Sequence, residues 1–129
     1  MNLVDTVAML AVIQYLFFVG LVGRARGRFG VKAPAVTGDE RFERVYRVQM
    51  NTLELLVVLI PALYAAARYW PPAVVAGVGA VYLVGRVVYW RAYVADPAGR
   101  GLGFMLSALP AVGLALAALV PAVLGRAAG

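Results

Sequence analysis

Two residue types that carry much of enzyme chemistry, cysteine and histidine, are absent from this chain of 129 residues. Without cysteine the chain has no disulfide framework and no thiol nucleophile of its own. Without histidine it has no histidine-based metal site, no imidazole general base and no Ser–His triad. We therefore expect no metal centre. No internal repeat, low-complexity tract or phosphate-binding glycine loop is evident either.

Charged residues are also scarce, at 14% of the chain, whereas 64% is hydrophobic and the mean hydropathy is +0.85. A soluble domain is about half apolar, so this composition predicts a polytopic membrane protein. Four apolar segments predict an all-α fold, an integral membrane four-helix bundle, as a single domain over residues 1–129 with no appended soluble module. The expected helices cover about residues 3–23, 40–69, 73–95 and 102–124.

The first apolar segment, residues 3–23, is long enough to span roughly 31 Å as a helix, about one hydrocarbon core. A signal peptide is the alternative interpretation. The acidic Asp5 near its start and the lack of a small-residue cleavage site argue against that alternative. A first loop is expected from Arg24 to Asp39, where several glycines and Pro34 interrupt the basic residues.

The formal net charge of +6 raises the question of nucleic acid. The basic residues flank apolar segments, however, so membrane orientation and anionic lipid are the better interpretation, and no nucleic-acid partner is expected. Four helices place both termini on one side, and the positive-inside rule places the more basic side in the cytoplasm. We expect a bacterial inner membrane. On or near the basic side lie Arg24, Arg26, Arg28, Lys32, Arg41, Arg44, Arg47, Arg86, Arg91 and Arg100.

A polar stripe enters the second apolar segment. Arg47, Asn51 and Glu54 have the i, i+4, i+7 spacing of one helix face. Ionisable groups in an apolar environment are costly and indicate a functional site by default. The alternative is a structural network in which Arg47 and Glu54 tie helices together.

A second stripe lies on the third segment, where Tyr82, Arg86, Tyr89 and Tyr93 share a helix face. Such an aromatic stripe serves packing more often than binding, and Arg86 in its middle makes the two interpretations about equal. Arginines bind carboxylates in bidentate fashion, and a glutamate can bind an ammonium. The two stripes therefore predict a small zwitterionic ligand with more than one carboxylate. A transport pathway has less support, because the charges cluster at one end of the helices.

These motifs resemble those of the MAPEG family, the membrane-associated proteins of eicosanoid and glutathione metabolism. The pattern Glu-Arg-x-x-Arg-x-x-x-Asn-x-x-Glu, from Glu43 to Glu54, resembles the family's second-helix signature. Arg86-x-x-Tyr89-x-x-x-Tyr93, followed by Arg100, resembles its third helix and the start of its fourth. The likeness covers nearly the whole chain in helix count, loop placement and length.

The resemblance implies a homotrimer that holds glutathione between neighbouring subunits near the cytosolic side. It implies that Arg100 lies at the glutathione sulfur. The other glutathione-binding residues that it implies are Arg47, Asn51, Glu54, Tyr89 and Tyr93 of one subunit, with Arg26 and Gln49 of its neighbour. The residues of eicosanoid-forming members are replaced here by Gly27, Leu55, Gly101 and Phe104.

The predicted function is therefore a membrane glutathione transferase of detoxification, with peroxidase activity towards lipid hydroperoxides as a variant. Glutathione enters from the cytosol and a lipophilic electrophile from membrane lipid. Arg100 is expected to stabilise the thiolate, because a protonated arginine lowers the pKa of a neighbouring acid and a helix N-terminus favours an anion. The alternative for Arg100 is a contact with lipid phosphates or a role in topology. The alternatives for the protein are a non-catalytic lipid-binding adaptor of the same family, and a structural or transport role.

Overall fold

The computed structural model describes residues 1–127, which contain helices and connecting turns but no strand. Each of the four long helices contains an apolar window long enough to cross a membrane. The prediction of an all-α bundle of four long apolar helices is confirmed, whereas the trimer stays a prediction. The helices are α1 (Leu3–Phe29), α2 (Glu40–Ala66), α3 (Pro72–Ala95) and α4 (Gly101–Val123), with a short 3₁₀ helix, Pro97–Arg100, directly before α4.

The first helix is longer than the hydropathy pattern predicts. It continues past Gly23 to Phe29, so Arg24 lies within α1 and the expected loop from Arg24 to Asp39 is wrong in its first part. Arginine is a good helix former, and basic residues near a helix C-terminus interact favourably with the helix dipole. The helix ends where Gly30 adopts the left-handed conformation at φ 72°.

The remaining helix ends differ less from expectation. Asp39 caps α2 by accepting a hydrogen bond from the Arg41 backbone N–H, and its side chain also accepts from the Arg41 guanidinium. These contacts lower the pKa of Asp39 to about 2, so the cap is ionised at neutral pH. The second helix ends at Ala66 rather than near residue 69, because a tight turn leads into the two prolines that begin α3.

The four helices run alternately up and down, which gives the bundle two unlike ends. We call the end with the α1–α2 loop and the 3₁₀ helix the basic end, and the end with the Trp70 turn the apolar end. The core towards the apolar end is continuous and includes the fully buried Leu59 and Leu63. Gly79 lies so close to Val7 that an added Cβ would be only 2.6 Å from a Val7 methyl group.

The helices α3 and α4 approach each other closely at two glycines. A Cβ on Gly85 would lie 2.6 Å from the Leu106 carbonyl carbon, and a Cβ on Gly103 would overlap the Tyr89 backbone. Small residues permit such close backbone contact between membrane helices. The contact at Gly103 fixes the first turn of α4, and therefore the 3₁₀ helix before it, against the tyrosine stripe of α3.

Candidate functional site

A cavity of about 480 Å³ opens at the basic end between α2, α3 and α4. This volume lies within the usual range for small-molecule sites, roughly 300–1,000 Å³. Five of the residues predicted from the sequence line it together, although they come from three helices. The lining consists of Arg47, Asn51, Tyr89, Tyr93, Arg100 and Phe104.

Beside the cavity, Arg47 Nη2 lies 3.1 Å from Glu54 Oε1. The two side chains are 49% and 57% exposed, and both belong to α2. The pair therefore spans two turns of one helix rather than tying two helices together, which was the structural alternative. Exposed ion pairs contribute only about 0–1 kcal/mol, so a ligand with its own charges can exchange for either partner at little cost.

A fully buried arginine lies beneath the cavity. Arg86 Nε donates to Ser107 Oγ at 2.9 Å, and its Nη1 donates to Asn51 Oδ1 at 2.8 Å and Thr52 Oγ1 at 3.2 Å. The guanidinium also lies 4.3 Å from the centre of the Tyr89 ring. No carboxylate within residues 1–127 forms an ion pair with it, and its Nη2 is buried without a hydrogen-bond partner.

The contact with Arg86 fixes the orientation of the Asn51 amide. Because the amide oxygen accepts from Arg86, the amide nitrogen is the group that Asn51 can offer to a ligand. Asn51 therefore acts as a donor at the cavity wall. A buried cation in an apolar bundle is costly and marks a functional region, and here it acts on two of the cavity residues, Asn51 and Tyr89.

The two tyrosines form one wall of the cavity. Tyr89 and Tyr93 stack with their ring centres 5.4 Å apart and an interplanar angle of 22°. They lie one helical turn apart on α3, so each presents a phenol at a different depth. Arg44 holds the end of this helix, because its Nη1 donates to the carbonyl oxygens of Val94 and Ala95 at 3.1 and 3.3 Å.

Arg100 enters the cavity from the 3₁₀ helix at the start of α4. Asp96 caps this short helix by accepting from the Ala98 backbone N–H at 3.1 Å, and Arg100 Nη1 donates to the Pro97 carbonyl at 3.1 Å. The side chain is exposed and makes no ion pair within the described part of the chain. It is thus a cation at a helix N-terminus, where an anionic ligand gains from both the charge and the backbone.

Two predicted site residues lie away from the cavity in the single chain. Arg26 Nη1 donates to the Ala35 carbonyl at 2.6 Å, and the guanidinium lies 4.9 Å from the centre of the Phe42 ring, so it stabilises the α1–α2 loop. Gln49 Nε2 donates to Tyr15 Oη at 3.2 Å, which joins α2 to α1. Their expected contribution across a subunit interface stays a prediction.

The structure adds to the predicted glutathione-binding set two residues that the sequence analysis named in other contexts. Phe104 forms the apolar wall of the cavity, and no periodicity in the sequence distinguishes it from its apolar neighbours on α4. Arg86 was visible in the tyrosine stripe, but its link to Asn51 depends on how α2 and α3 pack. The resulting site combines Arg47, Arg100 and the buried Arg86 with one carboxylate, Glu54, and can hold an anion with several hydrogen-bond acceptors.

The chain is similar to several known proteins. The sequence pattern of the MAPEG family matches residues 4–120. An uncharacterized protein of Synechocystis sp. is 46% identical over 111 residues, which cover 86% of this chain and 81% of that protein. Microsomal glutathione S-transferase 2 of Mus musculus is 37% identical over 128 residues, 98% of this chain and 83% of the relative.

Leukotriene C4 synthase of Bos taurus is 35% identical over 134 residues, which cover 97% of this chain and 88% of the relative. The match of the family pattern over nearly the whole chain confirms the resemblance that the second- and third-helix motifs indicate. With its four long apolar helices, the chain is an integral, multi-pass membrane protein that belongs to the MAPEG family.

Proposed function

We propose that this protein is a membrane glutathione transferase, which joins the glutathione thiolate to a lipophilic electrophile. One observation carries the proposal: Arg47, Asn51, Tyr89, Tyr93 and Arg100 come from three helices and line a single cavity. The names of two relatives, a microsomal glutathione S-transferase and a leukotriene C4 synthase, add support.

The donors and acceptors of the cavity fit the groups of glutathione. The tripeptide has two carboxylates, one ammonium group, amide groups and a thiol. Arg47 is available to bind a carboxylate, and Glu54 the ammonium, once their mutual ion pair opens. The Asn51 amide nitrogen and the two phenols supply neutral hydrogen bonds. Together these residues hold the peptide so that its thiol points towards Arg100.

Arg100 then acts on the sulfur. A free thiol of the cysteine type has a pKa of about 8.5, so only a few per cent is thiolate at neutral pH. A neighbouring guanidinium lowers the pKa of an acid by roughly 1–3 units. The thiolate attacks the electrophilic carbon, a carbon–sulfur bond forms, and the leaving group departs with its electron pair. In the peroxidase variant the thiolate attacks the terminal oxygen of a lipid hydroperoxide, so that a sulfur–oxygen bond forms, the O–O bond breaks and the lipid alkoxide leaves and takes up a proton. A second glutathione thiolate then attacks the resulting sulfenic acid, which gives glutathione disulfide and water.

A homotrimer completes the proposed site. The cavity is open on the side where Arg47 and Glu54 are about half exposed, so a second subunit can close it. Arg26 and Gln49 are the residues that we assign to the neighbour's side. Native mass measurement of the protein in a lipid-like medium should give a trimer, and a fully active monomer would contradict this assembly.

The basic end is proposed to face the cytoplasm of a bacterial cell, across the inner membrane. Glutathione then enters from the cytosol, and the electrophile enters from the bilayer, past the apolar wall formed by Phe104. The C-terminus then lies outside the cytoplasm. A reporter fused to it should be active if the reporter works only outside the cytoplasm, and inactive if it works only inside. Cytoplasmic activity of that reporter would overturn the proposed orientation.

The decisive assay is conjugation of glutathione to an aryl halide by the protein in lipid nanodiscs. We expect product formation that saturates with glutathione and binding of glutathione in a calorimetric titration. Lipid binding with no glutathione binding and no conjugate would instead support the non-catalytic adaptor. Concentrative uptake by vesicles without conjugation would support the transport alternative.

A further inference from the structure

A long groove runs between α1 and α3, on a part of the surface that shares no lining residue with the glutathione cavity. It contains two hollows, of about 260 Å³ at the basic end and about 400 Å³ deeper in the bundle. The upper hollow is lined by Leu21, Arg24, Ala25, Arg28, Phe29, Val45, Trp90 and Val94. The deeper one is lined by Leu10, Ile13, Gln14, Phe17, Leu83, Val84 and Val87.

The two hollows are neighbours along the α1–α3 surface, and an aromatic contact lies between them. Phe17 of the deeper hollow packs edge-on against Trp90 of the upper hollow, with ring centres 5.5 Å apart. The groove follows α1 from Leu10 to Arg24, which is roughly 20 Å at about 1.5 Å per residue. This length exceeds half of a hydrocarbon core about 30 Å thick. An acyl chain can therefore lie in the groove through the depth of its leaflet.

The upper end of the groove lies at the depth of lipid headgroups. Helix α1 has 27 residues, roughly 40 Å, whereas about 20 residues cross the hydrocarbon core. Its last turns therefore extend into the interfacial layer. Trp90 there is a residue type typical of the membrane interface, and the Arg91 guanidinium lies 5.3 Å from its ring centre.

Positive charge without a protein partner concentrates at this upper end. Arg24 and Arg28 are one helical turn apart, both are exposed, and both line the upper hollow. Neither forms an ion pair within residues 1–127, and no Asp or Glu lines either hollow. The two arginines above apolar hollows complement a lipid with a negative headgroup and an apolar acyl chain. A lipid whose headgroup carries an ammonium finds no carboxylate partner here.

We propose that this groove, with Arg24 and Arg28 at its mouth, is a binding site for an anionic glycerophospholipid of the leaflet at the basic end, which is the cytoplasmic leaflet in the orientation proposed above. The two guanidinium groups bind the phosphate diester. One acyl chain lies along the α1–α3 groove past Trp90 and Phe17. The proposal does not depend on the transferase activity, because none of these residues lines the glutathione cavity.

The chain offers a built-in reporter, because Trp70 and Trp90 are its only tryptophans and lie at opposite ends of the bundle. In a Trp70→Phe variant, Trp90 alone reports on the groove. Lipids brominated near the top of the acyl chains quench a tryptophan that they contact. We expect brominated phosphatidylglycerol to quench Trp90 at a mole fraction about thirtyfold lower than brominated phosphatidylcholine does, roughly fivefold for each arginine near the surface.

The double change Arg24→Gln and Arg28→Gln should abolish this headgroup preference. The matched control changes Arg68 and Arg126 to Gln at the apolar end, which removes the same charge and should leave the preference intact. A thermal melt in the same nanodiscs verifies that each variant is folded. Equal quenching by the two lipids in the Trp70→Phe protein would overturn the proposal. An equal loss of the phosphatidylglycerol preference in both double variants would overturn it as well.

A second measurement separates a lipid from a free phosphate or a second copy of the chain. A two-tailed phosphatidylglycerol with short acyl chains should compete weakly, and inorganic phosphate should not compete at all. Displacement of the long-chain lipid by inorganic phosphate alone would contradict the acyl part of the site. The Arg24→Gln, Arg28→Gln variant could instead lose its oligomeric state while the quenching of Trp90 stays unchanged. That result would overturn the lipid site and assign the groove to a contact between subunits.

Discussion

The two ends of the bundle contain cavities of opposite chemistry. The basic end has the cavity of about 480 Å³ lined by arginines, tyrosines, Asn51 and Phe104. The apolar end has a cavity of about 340 Å³. Its lining contains no charged residue and consists of Ala66, Trp70, Val74, Val75, Val78, Gly113, Leu114 and Ala117.

This difference separates the residues that hold the helices together from those to which we assign chemistry. Lipid tails are as apolar as the helices, so the bundle depends on close packing of small and branched residues, as at Gly79 and Leu63. Arg86 joins α3 to α2 and α4 through hydrogen bonds to Asn51 and Ser107, but uncharged side chains could do the same at lower cost. We infer that the cost of burying a cation here is explained by the proposed ligand of its neighbours.

The largest expected effect is on the charge nearest the proposed sulfur. Arg100→Ala should lower the turnover of glutathione conjugation about a hundredfold at neutral pH. About thirtyfold is expected because the bound thiol returns to the few per cent of thiolate that a free thiol has, and the rest because the sulfur loses the charge that aligns it with the electrophile. Glutathione binding should change much less, since most contacts remain. Arg68→Ala, an exposed arginine at the apolar end, is the control. Equal activity of the two variants in the aryl halide assay would remove Arg100 from the chemistry.

The next effect concerns the carboxylate of the site. Glu54→Ala should weaken glutathione binding roughly ten- to a hundredfold, because a charged hydrogen bond contributes about 1.5–3 kcal/mol. Glu40→Ala is the matched control, since Glu40 also pairs with an arginine of α2, Arg44 at 2.6 Å, but outside the cavity. Unchanged glutathione affinity of Glu54→Ala in a calorimetric titration would leave Glu54 with a structural role only.

A change at the buried Arg86 tests its hydrogen bond from α3 to Asn51. Arg86→Met should weaken glutathione binding about tenfold, because Asn51 loses the partner that orients its amide. Folding should suffer less, since Thr52 Oγ1 and Ser107 Oγ still donate to the carbonyls of Val48 and Gly103, both at 2.7 Å.

Arg91→Met, an exposed change on the same helix, should affect neither property. A melting temperature that collapses in Arg86→Met while glutathione affinity is retained would make Arg86 a residue of the core rather than of the site.

The remaining expected effect is on folding and concerns the glycine contact that positions Arg100. Gly103→Ala should destabilise the bundle by about 1–3 kcal/mol, as overpacking does, because the new Cβ meets the Tyr89 backbone. Conjugation should fall with it as the start of α4 moves. Gly113→Ala on the same helix meets no atom within 4 Å and serves as the control. Equal thermal melts of the two variants would contradict the close-packing account.

The sequence predicted the parts of this molecule that depend on local patterns. Hydropathy gives four helices, and helical spacing places Arg47 and Asn51 on one face of α2. The predicted end of α1 was wrong because the apolar run ends at Gly23. The helix continues to Phe29, since arginine is a good helix former and the arginines after Gly23 extend it. Phe104 was named from the resemblance only as a replaced position. Its place in the cavity was not predicted, because it depends on the approach of α4 to α3, which is a property of packing and not of periodicity.

The most direct test of the account is the titration of the thiol of bound glutathione. The thiolate absorbance, followed against pH in the intact protein, should have its midpoint roughly 1–3 units below the value of about 8.5 for a free thiol. In Arg100→Ala the midpoint should return towards that free value. A wild-type midpoint near 8.5, or the same midpoint in both proteins, would contradict the claim that Arg100 stabilises the thiolate.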